Sequence, residues 1–368
     1  MNPPRQQTLL LSISLSLFRS ISLSLFRSIS LSLLRSISLS LLLSTPLLTS
    51  APLAPKIIRT GDFEITVSRI AENPIITYDS SDTLGTKING PSVIRVPDWI
   101  ENPLGKYYLY FAHHDGKFIR LAYANAVTGP WTVYEPGTLK LEESPAFIGH
   151  IASPDVHIDH ASQKIRMYYH GSRERDNQKT AFATSEDGIR FTASKTVIGE
   201  AYFRVFSHRG TFYAIDTHGF LNRSIHPDKD WSIAEKALIA PITIDDQYGK
   251  RDDVRIRHCA VVTRGDTLLV FYTRKADAPE RILMSTVSMT GYFNQWTASE
   301  PVEILRPTTK YEGIQFSLKP SRKGGGIKVQ QLRDPAIFED AGRSYLFYSI
   351  AGEMGLAVAE LSIKKIEN

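Results

Sequence analysis

Hydrophobic and polar positions from Lys56 onward alternate in short runs that are separated by turn residues. The apolar runs are rich in Tyr, Phe, Val and Ile, as in 106–111 (KYYLYF) and 267–273 (TLLVFYT). Aromatic and β-branched residues with this alternation favour β-strands. No stretch of this region has the spacing of a convincing amphipathic helix. The pattern therefore predicts an all-β domain over residues 56–368.

The strands recur as five units of one design. Each unit has an apolar opening strand with a polar start, a turn, an aromatic-rich second strand and a third strand with small residues. The opening strands are expected at 90–94, 153–159, 202–207, 258–263 and 334–338. Openings that lie 49 to 77 residues apart fit four-stranded sheets with variable loops, so we predict a five-bladed β-propeller. Residues 55–68 are expected to supply a strand that closes the ring.

A two-layer β-sandwich is the alternative fold, because it also strings short antiparallel strands together. The polar residues favour the propeller over the sandwich. They crowd at the start of each opening strand instead of scattering over the loops, and opening strands line a shared central channel in a propeller.

Residues 1–55 form a low-complexity extension that we exclude from the fold. Within residues 1–50 the unit RSISLSLF repeats, the arginines are Arg5, Arg19, Arg27 and Arg35, and acidic residues are absent. Three interpretations stay open: an organelle transit peptide, an unusual signal sequence that is cleaved near Ser50, and translated repetitive DNA. A stable membrane span is not expected, because Ser and Arg interrupt every apolar run. Export or organelle targeting therefore depends on whether this segment is a real targeting peptide.

Charge and cysteine content narrow the function classes. The net charge is +5, but without the four arginines of the extension 39 basic residues face 38 acidic ones. A body this close to neutral carries no electrostatic signature of nucleic-acid binding. Cys259 is the single cysteine, so an internal disulfide is excluded, and no Cys/His set has zinc spacing. We expect a monomer without a cofactor, with a structural calcium in the channel as the open alternative.

The polar starts of the opening strands supply candidate chemistry. They carry Asn89, Asp155, Glu200 with Arg204, Arg257-His258 and Arg333-Asp334. Carboxylates that converge with His and Arg on one polar opening suit glycosidic bond cleavage, which needs an acid for the leaving oxygen and a second carboxylate. Tyr169 is a candidate sugar-binding ring. Structural interpretations stay open too: a turn cap for Asp155, an ion pair for Arg333-Asp334 and a surface acid for Glu200.

Two segments resemble the blade openings of five-bladed β-propeller glycosidases. They are 332–349 (LRDPAIFEDAGRSYLFYS) and 152–171 (ASPDVHIDHASQKIRMYYHG), and the resemblance spans roughly residues 57–366. The arabinanase, levansucrase and invertase group, and glycoside hydrolase family 43 most of all, has this pattern. The resemblance implies a glycosidase with an aspartate base, an aspartate that orients the acid, and a glutamate acid. Asp155 matches the second of these, and Glu200 is the candidate for the third.

The first blade departs from the family pattern, because it has Asn89 before Gly-Pro where the family has Asp before Pro. Asn cannot act as a base, so Asp79, Asp82 or Asp334 would have to take that role. Some relatives use His as the acid, which makes His258 a catalytic candidate beside Asp155, Glu200 and Asp334.

The expected substrate-binding residues form a larger set around the channel mouth. They are Asn89, His113, His114, Tyr169, Arg204, Arg333 and Glu312, with the two histidines at the rim and Glu312 at the rim or the surface. Two functions follow: a glycoside hydrolase for an oligo- or polysaccharide, or a non-catalytic propeller that binds carbohydrate or protein after losing the base at Asn89. The sugar, the linkage and the stereochemical outcome stay open.

Overall fold

The computed structural model describes residues 53–113, 116–174, 178–321 and 327–366, with the side chain of His113 excepted. His114 and residues 1–52 of the predicted extension lie outside these ranges. The described chain is almost entirely β, and its three helices are short 3-10 turns: Tyr78–Ser80, Leu141–Glu143 and Phe293–Gln295. No helix in the described ranges is long and apolar enough to cross a membrane.

Three strands precede the first complete blade, and they pack on the last one. They are β1 (Lys56–Thr60), β2 (Phe63–Arg69) and β3 (Ile76–Thr77). Blade 1 follows, and from the channel outward its strands are β4 (Ile88–Arg95), β5 (Tyr107–His113), β6 (Ile119–Ala124) and β7 (Thr132–Tyr134).

Blades 2 and 3 repeat this meander. Blade 2 contains β8 (Ile151–Asp159), β9 (Lys164–Ser172), β10 (Gln178–Ser185) and β11 (Thr192–Glu200). Blade 3 contains β12 (Arg204–His208), β13 (Thr211–Ile215), β14 (Phe220–Ser224) and β15 (Ser232–Ala237). A hairpin outside the blades, β16 (Ile242–Asp246) and β17 (Gly249–Val254), leads from blade 3 to blade 4.

Blades 4 and 5 complete the ring. Blade 4 contains β18 (Ile256–Arg264), β19 (Thr267–Arg274), β20 (Ile282–Ser288) and β21 (Val302–Leu305). Blade 5 contains β22 (Leu332–Asp340), β23 (Arg343–Ile350) and β24 (Gly355–Lys365). Strand β2 pairs with β24 along its full length, from Phe63 opposite Lys365 to Arg69 opposite Ala359, and β1 pairs with β2. The five-bladed propeller and its closure by an N-terminal strand are confirmed.

The opening strands β4, β8, β12, β18 and β22 surround the channel. β4 contacts both β8 and β22, and β18 contacts both β12 and β22. Apolar side chains fill the seams between adjacent blades: Tyr110, Leu121, Met167 and Ile165 pack together between blades 1 and 2. The core therefore lies between the sheets, and the polar starts of the opening strands face the shared axis.

Three opening strands begin with the same backbone irregularity. Gly90, Ser153 and Asp334 each precede a proline, have positive φ values of 60°, 49° and 50°, and sit at a break in the pairing register. Such a β-bulge re-aims the side chains around it. At Gly90 a β-carbon would come within 3.0 Å of the Ser153 Cα, so glycine lets β4 approach β8 closely. Ser153, rather than Asp155, is thus the blade 2 counterpart of Asp334.

Candidate functional site

The first component of the site is a buried His–Asp pair between blades 4 and 5. His258 Nδ1 lies in direct contact with Asp334 Oδ1, and the Ser349 hydroxyl donates to Asp334 Oδ2 at 3.1 Å. Burial opposes the charge of Asp334, but His258 and two nearby guanidinium groups hold the pKa of this carboxyl well below its usual range. Burial lowers the pKa of His258, and its contact with Asp334 offsets this in part. The pair therefore combines an ionised carboxylate with an imidazole that gains a proton below neutral pH.

A network of arginines and glutamates lies next to this pair. Arg257 Nε donates to Glu280 Oε1 at 2.8 Å, and Arg333 Nε lies 3.1 Å from Glu280 Oε2. Arg333 Nη1 also donates to Glu353 Oε1 at 2.7 Å. All four side chains are buried, and Glu280 is fully so. Buried charges of this kind persist because each one has an opposite charge and a hydrogen bond.

Asn89 takes part in the same network. It is fully buried, and its Nδ2 donates to Glu353 Oε2 at 3.0 Å. The backbone N–H of Ile88 donates to the Glu353 carbonyl at 2.7 Å, which ties blade 1 to the turn between β23 and β24. Asn89 thus fixes a carboxylate in place.

Asp155 lies two residues after Ser153 on β8, at the seam between blades 2 and 3. Its Oδ2 accepts from the Val205 N–H at 2.8 Å and lies 2.9 Å from His157 Nε2. Burial opposes its charge, but His157, Arg204 and the Val205 N–H hold the pKa of Asp155 below its usual range. The side chain is 15% exposed, so this fixed and ionised carboxylate is still reachable.

The guanidinium of Arg204 extends from Asp155 toward the His–Asp pair. Its Nε donates to the Cys259 carbonyl of blade 4 at 3.1 Å, and its Nη1 donates to the Ser153 carbonyl of blade 2 at 3.3 Å. Within the described part of the chain, Arg204 Nη2 and Ser153 Oγ are buried and have no hydrogen-bond partner. Two unpaired polar atoms at a buried site are the groups that a bound water or a ligand hydroxyl would satisfy.

Tyr202 covers this cluster. Its ring lies between two imidazoles, with centroids 4.0 Å from His170 and 4.2 Å from His258. Its backbone is left-handed, with φ of 66° in a non-glycine residue, which is a strained conformation that the surrounding packing must hold. Burial raises the pKa of the Tyr202 phenol well above its usual value, so the hydroxyl stays protonated as a donor.

Glu200 makes its contacts at the end of blade 2. It ends β11, the outermost strand of blade 2, and its carboxylate pairs with Lys179. Its side chain is 34% exposed. The Thr180 hydroxyl donates to its backbone carbonyl at 2.6 Å. The proposed acid role of Glu200 stays a prediction, and the residue lies two positions before Tyr202 in the chain.

Two expected substrate-binding residues lie in the interior, so their predicted placements are wrong. Tyr169 is 1% exposed and bonds the Ser144 hydroxyl at 2.6 Å, because second strands pack between blades instead of facing the channel. Glu312 is fully buried under blade 5, where Arg69 Nε donates to it at 2.7 Å and the Tyr348 hydroxyl at 3.0 Å.

Five residues of the cluster belong to the sequence-based set, namely Asn89, Arg204, His258, Arg333 and Asp334, and Asp155 adjoins them through Arg204. Sequence reasoning missed Glu280 and Glu353 altogether. They lie in the turns after β19 and after β23, and no periodic pattern marks such turn residues. His114 and the His113 side chain lie outside the described residues.

The described residues contain no group of three or more His, Cys, Asp or Glu side chains that could hold a metal ion. Cys259 is buried, and burial raises the pKa of its thiol to about 12. The calcium alternative stays a prediction. We expect the melting temperature to stay unchanged in EDTA and in reductant, since neither a disulfide nor a zinc site is foreseen. A fall of several degrees in EDTA, measured by differential scanning calorimetry and reversed by calcium, would establish a bound cation.

Comparison with known structures places this fold among glycoside hydrolases. An α-L-arabinofuranosidase from Lactobacillus brevis superposes with a TM-score of 0.53 at 13% identity, covering 77% of this chain and 93% of that one. For a putative glycoside hydrolase from Parabacteroides distasonis the TM-score is 0.56 at 12% identity, with 80% and 95% covered. A thermostable family-43 glycoside hydrolase gives 0.50 at 13% identity, with 78% and 93% covered.

Sequence comparison adds a curated relative of similar length. No family model matches this sequence. The uncharacterized protein R118 of Acanthamoeba polyphaga mimivirus is 38% identical over 333 residues, covering 81% of this chain and 91% of that protein. Identity at this level over most of both chains indicates common descent. This chain therefore belongs to the family of protein R118, and it has the five-bladed β-propeller fold of the family-43 glycoside hydrolases.

Proposed function

We propose that this protein is a glycoside hydrolase that cleaves its substrate at the channel end covered by Tyr202. The observation that carries the proposal is the position of Arg204 between an ionised carboxylate, Asp155, and the His258–Asp334 pair. A carboxylate on one side and a proton-carrying group on the other are the two functions that glycosidic cleavage needs.

Asp155 and His258 take the two catalytic roles. His258 donates a proton to the leaving glycosidic oxygen, and Asp334 orients the imidazole and offsets its charge. Asp155, held by the Val205 N–H, either accepts a proton from the attacking water or attacks the anomeric carbon itself. The choice between these two reactions decides whether the configuration is inverted or retained.

Substrate hydroxyls have donors and acceptors around the same point. Arg204 Nη2 and Ser153 Oγ are the unpaired groups available to them. The Tyr202 ring packs between His170 and His258, and its phenol stays protonated, so it can donate to a substrate oxygen. Arg333 and Asn89 act through Glu353, which they hold in place. The fold shared with an α-L-arabinofuranosidase makes arabinofuranosides the first substrates to test.

The pH dependence of kcat/KM tests this assignment. His258 must be protonated, and its pKa lies below the usual value of about 6.5. Asp155 must be ionised, and its pKa lies below the usual value of about 3.9. We therefore expect a bell-shaped profile whose maximum lies below about pH 5, because the midpoint of the two usual pKa values is about 5.2 and both pKa values are lowered. The measurement is kcat/KM on an aryl glycoside at constant ionic strength, and a profile that keeps rising above neutral pH would exclude His258 as the acid.

A non-catalytic carbohydrate-binding propeller is the second candidate, and Asn89 is the observation that favours it. Blade 1 has Gly90 directly before its proline, where the family pattern has Asp, and the preceding Asn89 donates to Glu353 in a buried bond. In that case sugars would bind to the channel cluster and leave without being cleaved. Their dissociation constant would vary little over the pH range in which an enzyme would show the bell-shaped profile of kcat/KM.

A further inference from the structure

A groove lies at the end of blades 1 and 2 that is opposite to the channel cluster. Its volume is 630 Å³, and its walls include Trp99, Glu101, Lys164, Thr184, Asp187 and Arg190. Strand β4 runs from Asn89 in the channel cluster to Arg95, and the Trp99 loop follows its far end. Likewise β8 ends at Asp159, opposite Lys164 at the start of β9. The groove is therefore separated from the channel cluster by the length of the opening strands.

Trp99 has a different environment from the other tryptophans of the chain. Trp131, Trp231 and Trp296 all pack into or against hydrophobic clusters between the blades. Trp99 is half-buried, makes an edge contact with His160 at 5.5 Å, and belongs to none of these clusters. Its indole Nε1 is buried without a hydrogen-bond partner among the residues that the structure describes. In the described part of the chain Trp231 Nε1 is also buried without a partner, so the feature that distinguishes Trp99 is the position of its side chain in the wall of the groove.

The remaining groove residues identify the class of ligand. Acidic and basic side chains nearly balance, since Glu101, Glu186 and Asp187 face Lys164 and Arg190. The Asp187 carboxylate accepts from the N–H groups of Ile189 and Arg190 at 2.8 Å, which fixes the turn that forms one wall. Thr184 and Thr192 also line the groove, whereas the Ser185 hydroxyl is bound to Asp187 and its turn. A wall of nearly balanced charge with two threonines and one aromatic ring suits a neutral polyhydroxyl ligand better than a polyanion.

We propose that this Trp99 groove is a surface carbohydrate-binding site that holds a polysaccharide chain away from the point of cleavage. The class of ligand follows from the groove itself, whereas the expectation that the ligand is a polymer rests on the proposed glycosidase function. Holding the polymer on a second face would raise the local concentration of cleavable ends by tethering, without a new contact in the channel.

Affinity electrophoresis in gels that contain soluble arabinan tests the proposal. We expect the wild-type protein to be retarded and Trp99→Ala to lose at least about tenfold in apparent affinity, the usual scale for truncating a central aromatic contact. Trp99→Phe keeps an aromatic ring and lacks the indole N–H, so its apparent affinity for arabinan should be intermediate. This variant also shows whether the alanine variant lost affinity only because it misfolded. Tyr292→Ala is the matched control, because Tyr292 is a 61% exposed aromatic outside the groove, and it should migrate like the wild type.

The outcomes separate this inference from the proposed function. Retardation that is lost in Trp99→Ala, with no aryl glycoside cleaved by any protein, supports the groove and contradicts the glycosidase. Retardation that is lost in Asp155→Asn but kept in Trp99→Ala places polymer binding in the channel and overturns the groove. A wild-type protein that arabinan does not retard also overturns it.

Discussion

Replacing Glu280 with glutamine is expected to destabilise the propeller more than any other single isosteric change at the channel. Glu280 is fully buried and contacts both Arg257 and Arg333, and the Thr273 hydroxyl also donates to it at 2.7 Å. An amide leaves two buried guanidinium groups with insufficient negative charge. Removing one partner of a buried ion pair costs about 3–5 kcal/mol. We expect a loss of this size in the free energy of unfolding, measured by urea denaturation.

Glu360→Gln is the matched control for this experiment. Glu360 faces Arg343 across 3.9 Å at the surface, with side chains 44% and 66% exposed. Solvent screens such a pair, so the control should unfold at the urea concentration of the wild type. Equal midpoints for Glu280→Gln and Glu360→Gln would mean that the central network does not hold blades 4 and 5 together.

Asp155→Asn is expected to lower kcat/KM at least about 100-fold, the lower end of the usual contribution of a general acid–base group. The melting temperature should change by no more than a few degrees, because an asparagine oxygen can still accept from the Val205 N–H. Only the negative charge is lost, and both proposed roles of Asp155 need that charge. Steady-state kinetics on a cleaved glycoside, together with thermal melts, would measure the two effects separately.

Asp159→Asn is the matched control on the same strand. Asp159 caps the turn after β8 by accepting from the N–H groups of Ala161 and Ser162 at 3.1 and 3.2 Å, and asparagine caps turns similarly. Its activity should equal that of the wild type. Full activity in Asp155→Asn would remove Asp155 from the mechanism and leave it as the structural link between blades 2 and 3.

The propeller could be predicted from the sequence because its signals are local. Strand composition, hairpin glycines and the recurring polar starts all lie within short windows, and the closing strand at residues 55–68 followed from the ring requirement. Tyr169 lies in the interior because the first strand of each blade, and not the second, faces the channel axis. KIRMYYH was expected as the second strand of its unit and does form β9, but both faces of this strand pack against neighbouring blades, so Tyr169 cannot face the channel.

The site itself was less predictable, because it depends on backbone geometry and on turns. Ser153 and Asp334 share a left-handed bulge before proline, and this bulge decides which residue of each opening strand points to the axis. Glu280 and Glu353 reach the channel from turns that have no sequence period to reveal them. Arg333 was expected to bind sugar hydroxyls or to pair with Asp334, whereas its buried acidic partners are Glu280 and Glu353.

The most direct test of the proposed hydrolysis is nitrophenol release from a panel of 4-nitrophenyl glycosides that includes the α-L-arabinofuranoside. The assay is run at about pH 5 and at about pH 4, on the acid side of the midpoint of the two usual pKa values, because the pKa values of Asp155 and His258 are both lowered. We expect the wild-type protein to cleave at least one member of the panel and an equally pure Asp155→Asn preparation to cleave none. Saturable sugar binding by the wild-type protein without cleavage of any member would contradict the proposed hydrolysis and identify a binding propeller.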